Sequence, residues 1–146
     1  MVTAVVASIT FTSCDKDYEA LLLGKWTVTK AKSEATLAGI SVPKDLTKAY
    51  KAFEFQEDGT CLMTTTKMNP MTGVVTPNSD TIRHYHWELV NGNKVRITTP
   101  SDYEINYNIN YLDETKLTFY GETFDTVPGF PELGKVAMAM TMNLTK

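Results

Sequence analysis

The sequence lacks the motifs by which many enzymes are recognised. It contains no G-x-S-x-G segment, no glycine-rich phosphate loop and no C-x-x-C pair. Only two histidines and two cysteines are present; the histidines lie on one predicted strand, and Cys61 has no obvious activating partner in the sequence. Catalytic groups can assemble from distant positions, so these absences weigh against an enzyme without excluding one. We therefore expect a binding protein, with no catalytic residues and no cofactor.

Positive charge is also scarce. The chain has 14 lysines and arginines against 17 aspartates and glutamates, which gives a net charge of −3, and its pI is near 5.4. Domains that bind nucleic acids usually present a basic surface and often have a pI above about 9, so we expect no nucleic-acid partner. No apolar run reaches the roughly 20 residues that cross a bilayer as a helix. The length fits a single domain.

An uncharged, largely apolar segment occupies residues 2–13 and ends in small residues before Cys14, after which acidic residues follow directly. The segment is too short to cross a bilayer, but it fits the apolar core of roughly 7–15 residues in a secretory signal. The pattern resembles the signal peptide of a bacterial lipoprotein, in which the cysteine is acylated with diacylglycerol and the preceding segment is removed. The alternative is a buried N-terminal strand with an incidental cysteine.

The lipoprotein interpretation divides the chain into three parts: a signal peptide at 1–13, the lipid-attachment residue Cys14 with a linker at 14–20, and one domain at 21–146. Such a lipid tethers a protein to the membrane without spanning it. Acidic residues after the cysteine resemble the export signal of some Gram-negative lipoproteins. The expected location is therefore the outer membrane of a Gram-negative cell envelope, facing the periplasm or the cell surface.

Eight segments alternate between apolar and polar residues, with turn residues between them. They are Lys25–Ala31, Lys51–Gln56, Thr60–Lys67, Thr81–Val90, Lys94–Thr99, Tyr103–Leu112, Lys116–Gly121 and Lys135–Thr145. Helix signals are confined to Asp17–Leu23, with Asp17 as cap, and to Pro43–Tyr50, which proline opens. Neither is long enough to connect two parallel strands, so the sheet should be antiparallel.

Strands joined in series must protect their edges, and closure into an up-and-down barrel does so. Successive connections then alternate between the two ends of the barrel. The second, fourth and sixth are short (57–59, 91–93 and 113–115), whereas the first, third and seventh are long (32–50, 68–80 and 122–134). The sequence therefore predicts an all-β, eight-stranded antiparallel up-and-down barrel with a short N-terminal helical turn, one tight end and one open end.

Two short motifs resemble those of the bacterial lipocalin-like lipoproteins, within the calycin group of β-barrels. Gly24-Lys25-Trp26 matches the G-x-W at the start of the first lipocalin strand, and residues 53–60 resemble the F-x-F-x-x-D-G-T hairpin of the bacterial family. The T-D-x-x-Y motif of true lipocalins is absent. The resemblance implies that Trp26 plugs the closed end and that a basic residue after the last strand, here Lys146, packs over it. Gly24, Trp26 and Lys146 are therefore the expected residues of the barrel end.

The apolar face of each predicted strand should point into the barrel, and Tyr111 falls on this face too. Near the open end, Lys30 and Arg83 share it with aromatic and methionine side chains. A cation above an apolar cavity would suit an amphiphile with an anionic head, because arginine pairs with carboxylates and methionine adapts to irregular ligands. The candidate ligand-binding residues are Lys30, Arg83, Tyr85, Trp87, Tyr103, Ile105, Tyr107, Met138 and Met140. Two alternatives stay open: the large side chains fill the barrel as core, or the cations lie on the rim in water.

A possible metal site is suggested by His84, His86 and Glu88, which alternate along one strand at a spacing that zinc ligands can use. They lie on the face opposite to Tyr85 and Trp87, however, so they should point into solvent. The chain has no third histidine. We expect an exposed polar face without a metal ion, with zinc as the alternative.

These patterns favour a lipid-anchored binding protein of the cell envelope that holds a small apolar or amphipathic ligand in the open end of its barrel and meets the membrane only through its anchor. The alternative is a filled barrel whose long loops bind another protein or a glycan. Phe124, Val127 and Phe130 are candidates for an apolar patch on the last long loop, or for a lid that folds over the mouth. A cavity of roughly 300 Å³ or more would favour the ligand, and a packed interior the partner.

Overall fold

The computed structural model describes residues 17–37, 39–69, 71–102, 104–126 and 135–146, with backbone only at 37, 123–126 and 135. Several predictions from the sequence lie outside the described residues. They are the signal peptide at 1–13, the attachment residue Cys14, the ligand candidate Tyr103, and the loop residues Val127 and Phe130 together with the side chain of Phe124.

One short helix precedes nine strands. The helix α1 (Tyr18–Leu22) begins at the predicted cap, where the Asp17 carboxylate accepts a hydrogen bond from the Ala20 amide at 3.1 Å. The strands are β1 (Gly24–Leu37), β2 (Ile40–Asp45), β3 (Tyr50–Phe55), β4 (Thr60–Thr65), β5 (Thr81–Val90), β6 (Lys94–Thr98), β7 (Glu104–Leu112), β8 (Lys116–Thr126) and β9 (Lys135–Thr145). In the part of the chain that the structure describes, no helix is long and apolar enough to cross a membrane.

The strands form one antiparallel barrel. Neighbouring strands pair in the order β2-β1-β3-β4-β5-β6-β7-β8-β9, and β1 also pairs with β9. This last pairing closes the sheet, because it joins the final strand to the first. The predicted eight-stranded up-and-down barrel is thus confirmed, with β2 as one additional strand.

The additional strand corrects two predictions. The sequence predicted a loop at 32–50 and a short helix over Pro43–Tyr50, and both are wrong. Instead, β1 runs on to Leu37, and β2 returns along it after a turn at Gly39, whose φ is 78°. Pro43 fits within β2 because this strand pairs on one edge only among the described residues, and proline lacks the amide donor that a second partner would need.

Strand β2 is not a ninth strand of the closed barrel. Lys32–Ala35 pairs with both β2 and β9, and Thr27 pairs with both β3 and β9. Because a strand has only two edges, β2 and β3 must follow one another along the edge of β1 that faces away from β9. The connections therefore still alternate between the two ends. Residues 57–59, 91–93 and 113–115 turn at the closed end, as the sequence predicted.

The rim of the open end is uneven. β5 pairs with β4 from Thr81 onward, but its pairing with β6 begins only at His86, opposite Thr98. Among the described residues, β7 joins β8 only from Tyr107, opposite Gly121. The β6–β7 hairpin therefore extends less far toward the open end than the strands on either side of it. We call this gap the rim notch: it lies above residues 99–102, between residues 81–85 of β5 and 122–126 of β8.

Two β-bulges turn residues outward that simple alternation would place inside. One lies between Val28 and Lys30, and Lys30 then pairs with Asn143, an exposed residue whose two neighbours on β9 are buried. Paired residues share a face, so Lys30 points to the outside of the barrel. The other bulge precedes Tyr111, which is 50% exposed, while Leu112 is buried in its stead. The structure thus corrects the predictions that Lys30 and Tyr111 face the lumen.

Candidate functional site

The closed end is sealed by Trp26 and Lys146. The Trp26 indole is fully buried and donates its Nε1–H to the carbonyl of Leu22 at 2.7 Å. The Lys146 Nζ lies 4.7 Å from the centre of that ring and donates to the carbonyl of Leu21 at 2.8 Å. Gly24 stands beside them with a φ of 108°, which disfavours any side chain. The three residues of the predicted barrel end therefore meet in one cluster that ties α1 to the barrel.

Trp87 belongs to this end of the barrel and not to its mouth. Its Nε1–H donates to the carbonyl of Gln56 at 3.0 Å, and its backbone N–H donates to the carbonyl of Gly59 at 2.8 Å. Gly59 has a φ of 86°, and a Cβ there would lie 2.8 Å from the ring of His86. The D-G-T turn is therefore built around glycine, and it holds Trp87 in the floor of the barrel.

Aromatic rings pack the lower half of the interior. Phe55 meets Trp87 edge to face, with ring centroids 5.2 Å apart, and meets Phe119 at 6.2 Å. Phe53 lies 6.3 Å from Phe119. Phe53 and Phe119 are fully buried and Phe55 nearly so. We call these rings the aromatic floor, and they occupy the part of the barrel that a ligand entering from the open end would reach last.

Above the aromatic floor the inner surface changes from rings to methionines and small side chains. Met138, Met140 and Met142 follow one another on the inner face of β9, with Met142 beside Phe119 at the level of the aromatic floor and the other two above it. The register places Ala35, Ser33 and Ala31 of β1 beside these three methionines, and Gly121 of β8 beside the central one. We call this surface the methionine wall. The methionine side chain has three rotatable bonds and fills irregular spaces, so beside small neighbours it can change conformation around a bound molecule.

Tyr107 marks the border between the aromatic floor and the methionine wall. Its ring stacks on Phe119 at 5.3 Å, and its hydroxyl hydrogen-bonds to the Met140 Sδ at 3.9 Å. The Tyr107 ring fits at this border because the facing residue is Gly121: a Cβ on Gly121 would lie only 2.7 Å from the ring. Tyr107 is 3% exposed, so of the two lumen candidates Tyr107 and Met140, the tyrosine is the more deeply packed.

A groove of about 620 Å³ opens at the rim notch. Its lining residues are Arg83, His84, Tyr85, Thr99, Pro100 and Ser101. Arg83 and Tyr85 are on the inner face of β5, because they pair with the buried residues Met63 and Cys61. The hydroxyl oxygens of Thr99 and Ser101 lie 3.0 Å apart on the opposite side. The groove therefore places a guanidinium, a phenol and two hydroxyls beside the barrel mouth.

Two further candidates, Ile105 and Met138, are half-buried on the inner side of the upper barrel, and Ile105 packs against the core. By contrast, His84, His86 and Glu88 are exposed on the outer face of β5, as predicted. No group of three or more potential metal ligands occurs within the described ranges.

Cys61 is fully buried on β4, and burial raises the pKa of its thiol to about 12. A low-dielectric interior disfavours the thiolate, which is the nucleophilic form. At neutral pH this thiol therefore stays protonated and is poorly suited to nucleophilic chemistry.

Sequence reasoning missed the small residues of the upper barrel and the groove beside the turn after β6. Ala31, Ser33 and Ala35 were assigned to the end of a strand and a loop, although their period-2 spacing is itself a strand signal. The sequence predicted a short connection over Pro100–Asp102 at the open end, but it did not indicate that residues 99–101 line a groove. They line the groove only because the β6–β7 hairpin is short relative to β5, and that depends on the register between strands.

Comparisons with known proteins agree with this architecture. The model of the lipocalin-like domain family matches residues 22–119. Among solved structures, the bovine lipocalin allergen Bos d 2 has a TM-score of 0.51 and 15% sequence identity over 87% of this chain and 73% of the allergen. The bovine odorant-binding protein in complex with a selenium-containing odorant has a TM-score of 0.50 and 13% identity, covering 86% of this chain and 70% of that one. No curated protein matches significantly. With its family model, its closed antiparallel barrel and its Trp26–Lys146 cluster, the chain belongs to the lipocalin-like domain family.

Proposed function

We propose that this protein holds a small apolar or amphipathic molecule in the open end of its barrel. The observation that carries the proposal is the change of lining along the barrel axis, from the packed aromatic floor to the methionine wall with its small neighbours. The bovine odorant-binding protein, which is similar in fold, was solved with a selenium-containing odorant, so a barrel of this kind can take in a small organic molecule.

The binding test uses N-phenyl-1-naphthylamine, a neutral apolar dye whose fluorescence rises in apolar surroundings. We expect saturable binding at one site per chain, together with displacement by long-chain alkyl compounds. Native mass spectrometry of the protein purified gently from its own host should show a reproducible bound mass that disappears on denaturation. Failure of the dye to bind, together with a clean apo mass in repeated preparations, would overturn the proposal.

We further propose that a lipid on Cys14 tethers the protein to the outer membrane of a Gram-negative cell. The uncharged apolar segment before this cysteine and the acidic residues after it support this proposal. The helix α1 packs at the closed end, where Lys146 bonds to Leu21. A tether through residues 14–20 would therefore leave the open end facing away from the membrane.

The anchor is tested by replacing the acceptor thiol. In a Gram-negative host, the wild-type chain should fractionate with membranes and take up a labelled fatty acid, whereas Cys14→Ser should do neither. Cys61→Ser is the matched control, because this buried cysteine should not affect labelling. Unlabelled wild-type protein would show that no anchor is attached.

One observation favours a second function, the binding of another protein or a glycan at the open end. Met71 and Val74, in the connection after β4, are 73% and 65% exposed, and Ile40 on β2 is 68% exposed. Contiguous exposed apolar patches often mark interaction surfaces, and Met71 and Val74 lie only three residues apart in one connection. Under this function, Met71→Ser combined with Val74→Ser would abolish capture of a cell-surface partner while leaving dye binding unchanged.

A further inference from the structure

We propose that the groove at the rim notch receives the head group of the ligand, and that this ligand is a single-chain amphiphile with a carboxylate head. The inference rests on the proposed function, because it assigns a ligand class to the same barrel. It differs from that function in placing recognition of the head at one side of the rim, where the β6–β7 hairpin is low.

Two of the donors that line the groove, on Arg83 and Tyr85, have no partner among the residues that the structure describes. Among the residues that the structure describes, salt bridges involve only Arg96, with Glu88 and Glu104, so none engages Arg83. Neither the Arg83 guanidinium nor the Tyr85 hydroxyl makes a hydrogen bond to a described residue. Arg83 and Tyr85 are two residues apart on one face of the strand, so their Cα atoms lie roughly 7 Å apart. A guanidinium and a phenol at this spacing can donate together to one small anion.

The charge of the groove fits a carboxylate better than a phosphate. Among the described residues, Arg83 is the only arginine or lysine that lines the groove, and Asp102 of the same turn does not line it. One guanidinium neutralises one carboxylate, whereas a phosphate monoester carries a charge of roughly −1.5 to −2 at neutral pH. Arginine also presents a planar fork of N–H groups that matches the two carboxylate oxygens.

The path for the alkyl chain follows from the order of the strands. In the eight-membered ring, β9 is the fourth strand from β5 in either direction, so the methionine wall stands directly across the lumen from the groove. Tyr85 and Ile105, below the notch, are half-buried and pack against the core. A carboxylate held at Arg83 would therefore direct its chain over these two side chains toward Met138 and Met140.

The test compares ligands that share a chain and differ in the head. Dodecanoate, dodecanol and dodecyl phosphate would each displace N-phenyl-1-naphthylamine at pH 7.5, where the carboxylate is ionised, below their micelle-forming concentrations. With the wild type we expect dodecanoate to bind most tightly. A hydrogen-bonded charge pair is lost in Arg83→Gln, which should weaken dodecanoate binding about tenfold or more and leave dodecanol binding unchanged.

Two further variants make the comparison specific. Lys30→Gln removes the same unit of charge from the outer face and should change none of the affinities. Tyr85→Phe keeps the ring and removes one donor, so it should weaken dodecanoate binding by roughly threefold. With these controls, a loss of dodecanoate affinity in Arg83→Gln can be attributed to the charge at this position and to the head group of the ligand. It cannot be attributed to the net charge of the protein or to the shape of the lumen.

The possible outcomes separate a failure of this inference from a failure of the proposed function. If dodecanol and dodecanoate bind equally, or if Arg83→Gln weakens both by the same factor, the groove does not read the head and the inference is overturned while the proposed function stands. Tighter binding of dodecyl phosphate than dodecanoate would also overturn it, since the head would then be a phosphate. If neither the dye nor any alkyl compound binds, the proposed function itself fails.

Discussion

Lys146 stands over the indole of Trp26, with its Nζ 4.7 Å from the ring centre, and so joins the last described residue to the first strand. The same Nζ bonds to the carbonyl of Leu21, while the indole bonds to that of Leu22. Two side chains thus cap the free carbonyls of one short helix. The stability of the closed end should depend on both.

Replacing Lys146 by methionine should lower the free energy of unfolding by about 1 kcal/mol, because it removes one cation–π contact and one hydrogen bond while keeping an apolar stem. Urea denaturation followed by tryptophan fluorescence measures the change. Lys25→Met is the matched control, since Lys25 is exposed on the neighbouring strand position. Equal midpoints for the two variants would show that the contact contributes nothing.

Gly121→Ala should destabilise the barrel by about 1–3 kcal/mol, the usual range for overpacking a core. The added Cβ would meet the Tyr107 ring at 2.7 Å and the carbonyl of Asn106 at 2.8 Å, and the backbone cannot yield as a flexible side chain would. Glu122→Ala, at the exposed neighbouring position, should change stability by less than about 0.5 kcal/mol. An unaltered denaturation midpoint in Gly121→Ala would contradict this packing.

Ala35→Phe should reduce the affinity for N-phenyl-1-naphthylamine by roughly tenfold or more, because the ring would occupy the space beside Met138. The matched control is Glu34→Phe, which adds the same ring on the exposed face of β1. Circular dichroism should remain that of a β-barrel in both variants. Unchanged dye binding in Ala35→Phe would place the ligand elsewhere.

Stability should fall in acid through three Asp-x-Thr turns. The carboxylates of Asp45, Asp58 and Asp113 accept the backbone N–H of the threonine two residues on, at 2.8–2.9 Å. Hydrogen bonds from these threonines hold each pKa below the ordinary 3.8, and that of Asp113 at about 2. A pKa lower in the folded than in the unfolded state stabilises above pH 3.8, and this contribution disappears as the pH falls toward 2.

The urea midpoint should therefore be level near neutral pH and decline between about pH 4 and pH 2. Asp113→Asn should flatten part of that decline, because its amide no longer titrates. Glu114→Gln serves as control, since Glu114 is exposed and makes no hydrogen bond to a described residue. An equal decline in Asp113→Asn and the wild type would show that this turn does not contribute.

Cys61 should resist alkylation by iodoacetamide at pH 8 in the folded protein and react fully once guanidinium chloride unfolds it. Burial both blocks the reagent and raises the pKa of the thiol to about 12, so the reactive thiolate is scarce. Peptide mapping by mass spectrometry separates Cys61 from Cys14. Rapid labelling of Cys61 without denaturant would mean that β4 opens readily.

The barrel was predictable because most of its strands alternate cleanly and meet in turns with strong signals. Gly59, at φ 86°, and the short connection 91–93 fix hairpins that local sequence alone identifies. Trp26 was placed by its position in the G-x-W motif. Such features depend on neighbours in the sequence, which is why they could be anticipated.

The errors arose where pairing between distant strands decides the outcome. The bulge after Val28 exists in the register of β1 with β9, and nothing in the local sequence indicates that Lys30 turns outward there. The strand β2 was mistaken for loop and helix because Pro43 usually interrupts a strand, and only an edge position accommodates it. The groove likewise results from unequal hairpin heights, which no single segment encodes.

The hairpin made by β1 and β2 gives the chain a place to vary without disturbing closure. Lys32–Ala35 is held to β9 on one edge, so the ring stays complete whatever occupies the other edge. Shortening β2, lengthening its turn at Gly39 or replacing it with a foreign segment would alter the mouth while the barrel kept its eight walls. Under the proposed function, exchange of this one peripheral hairpin would give the same scaffold new ligand preferences.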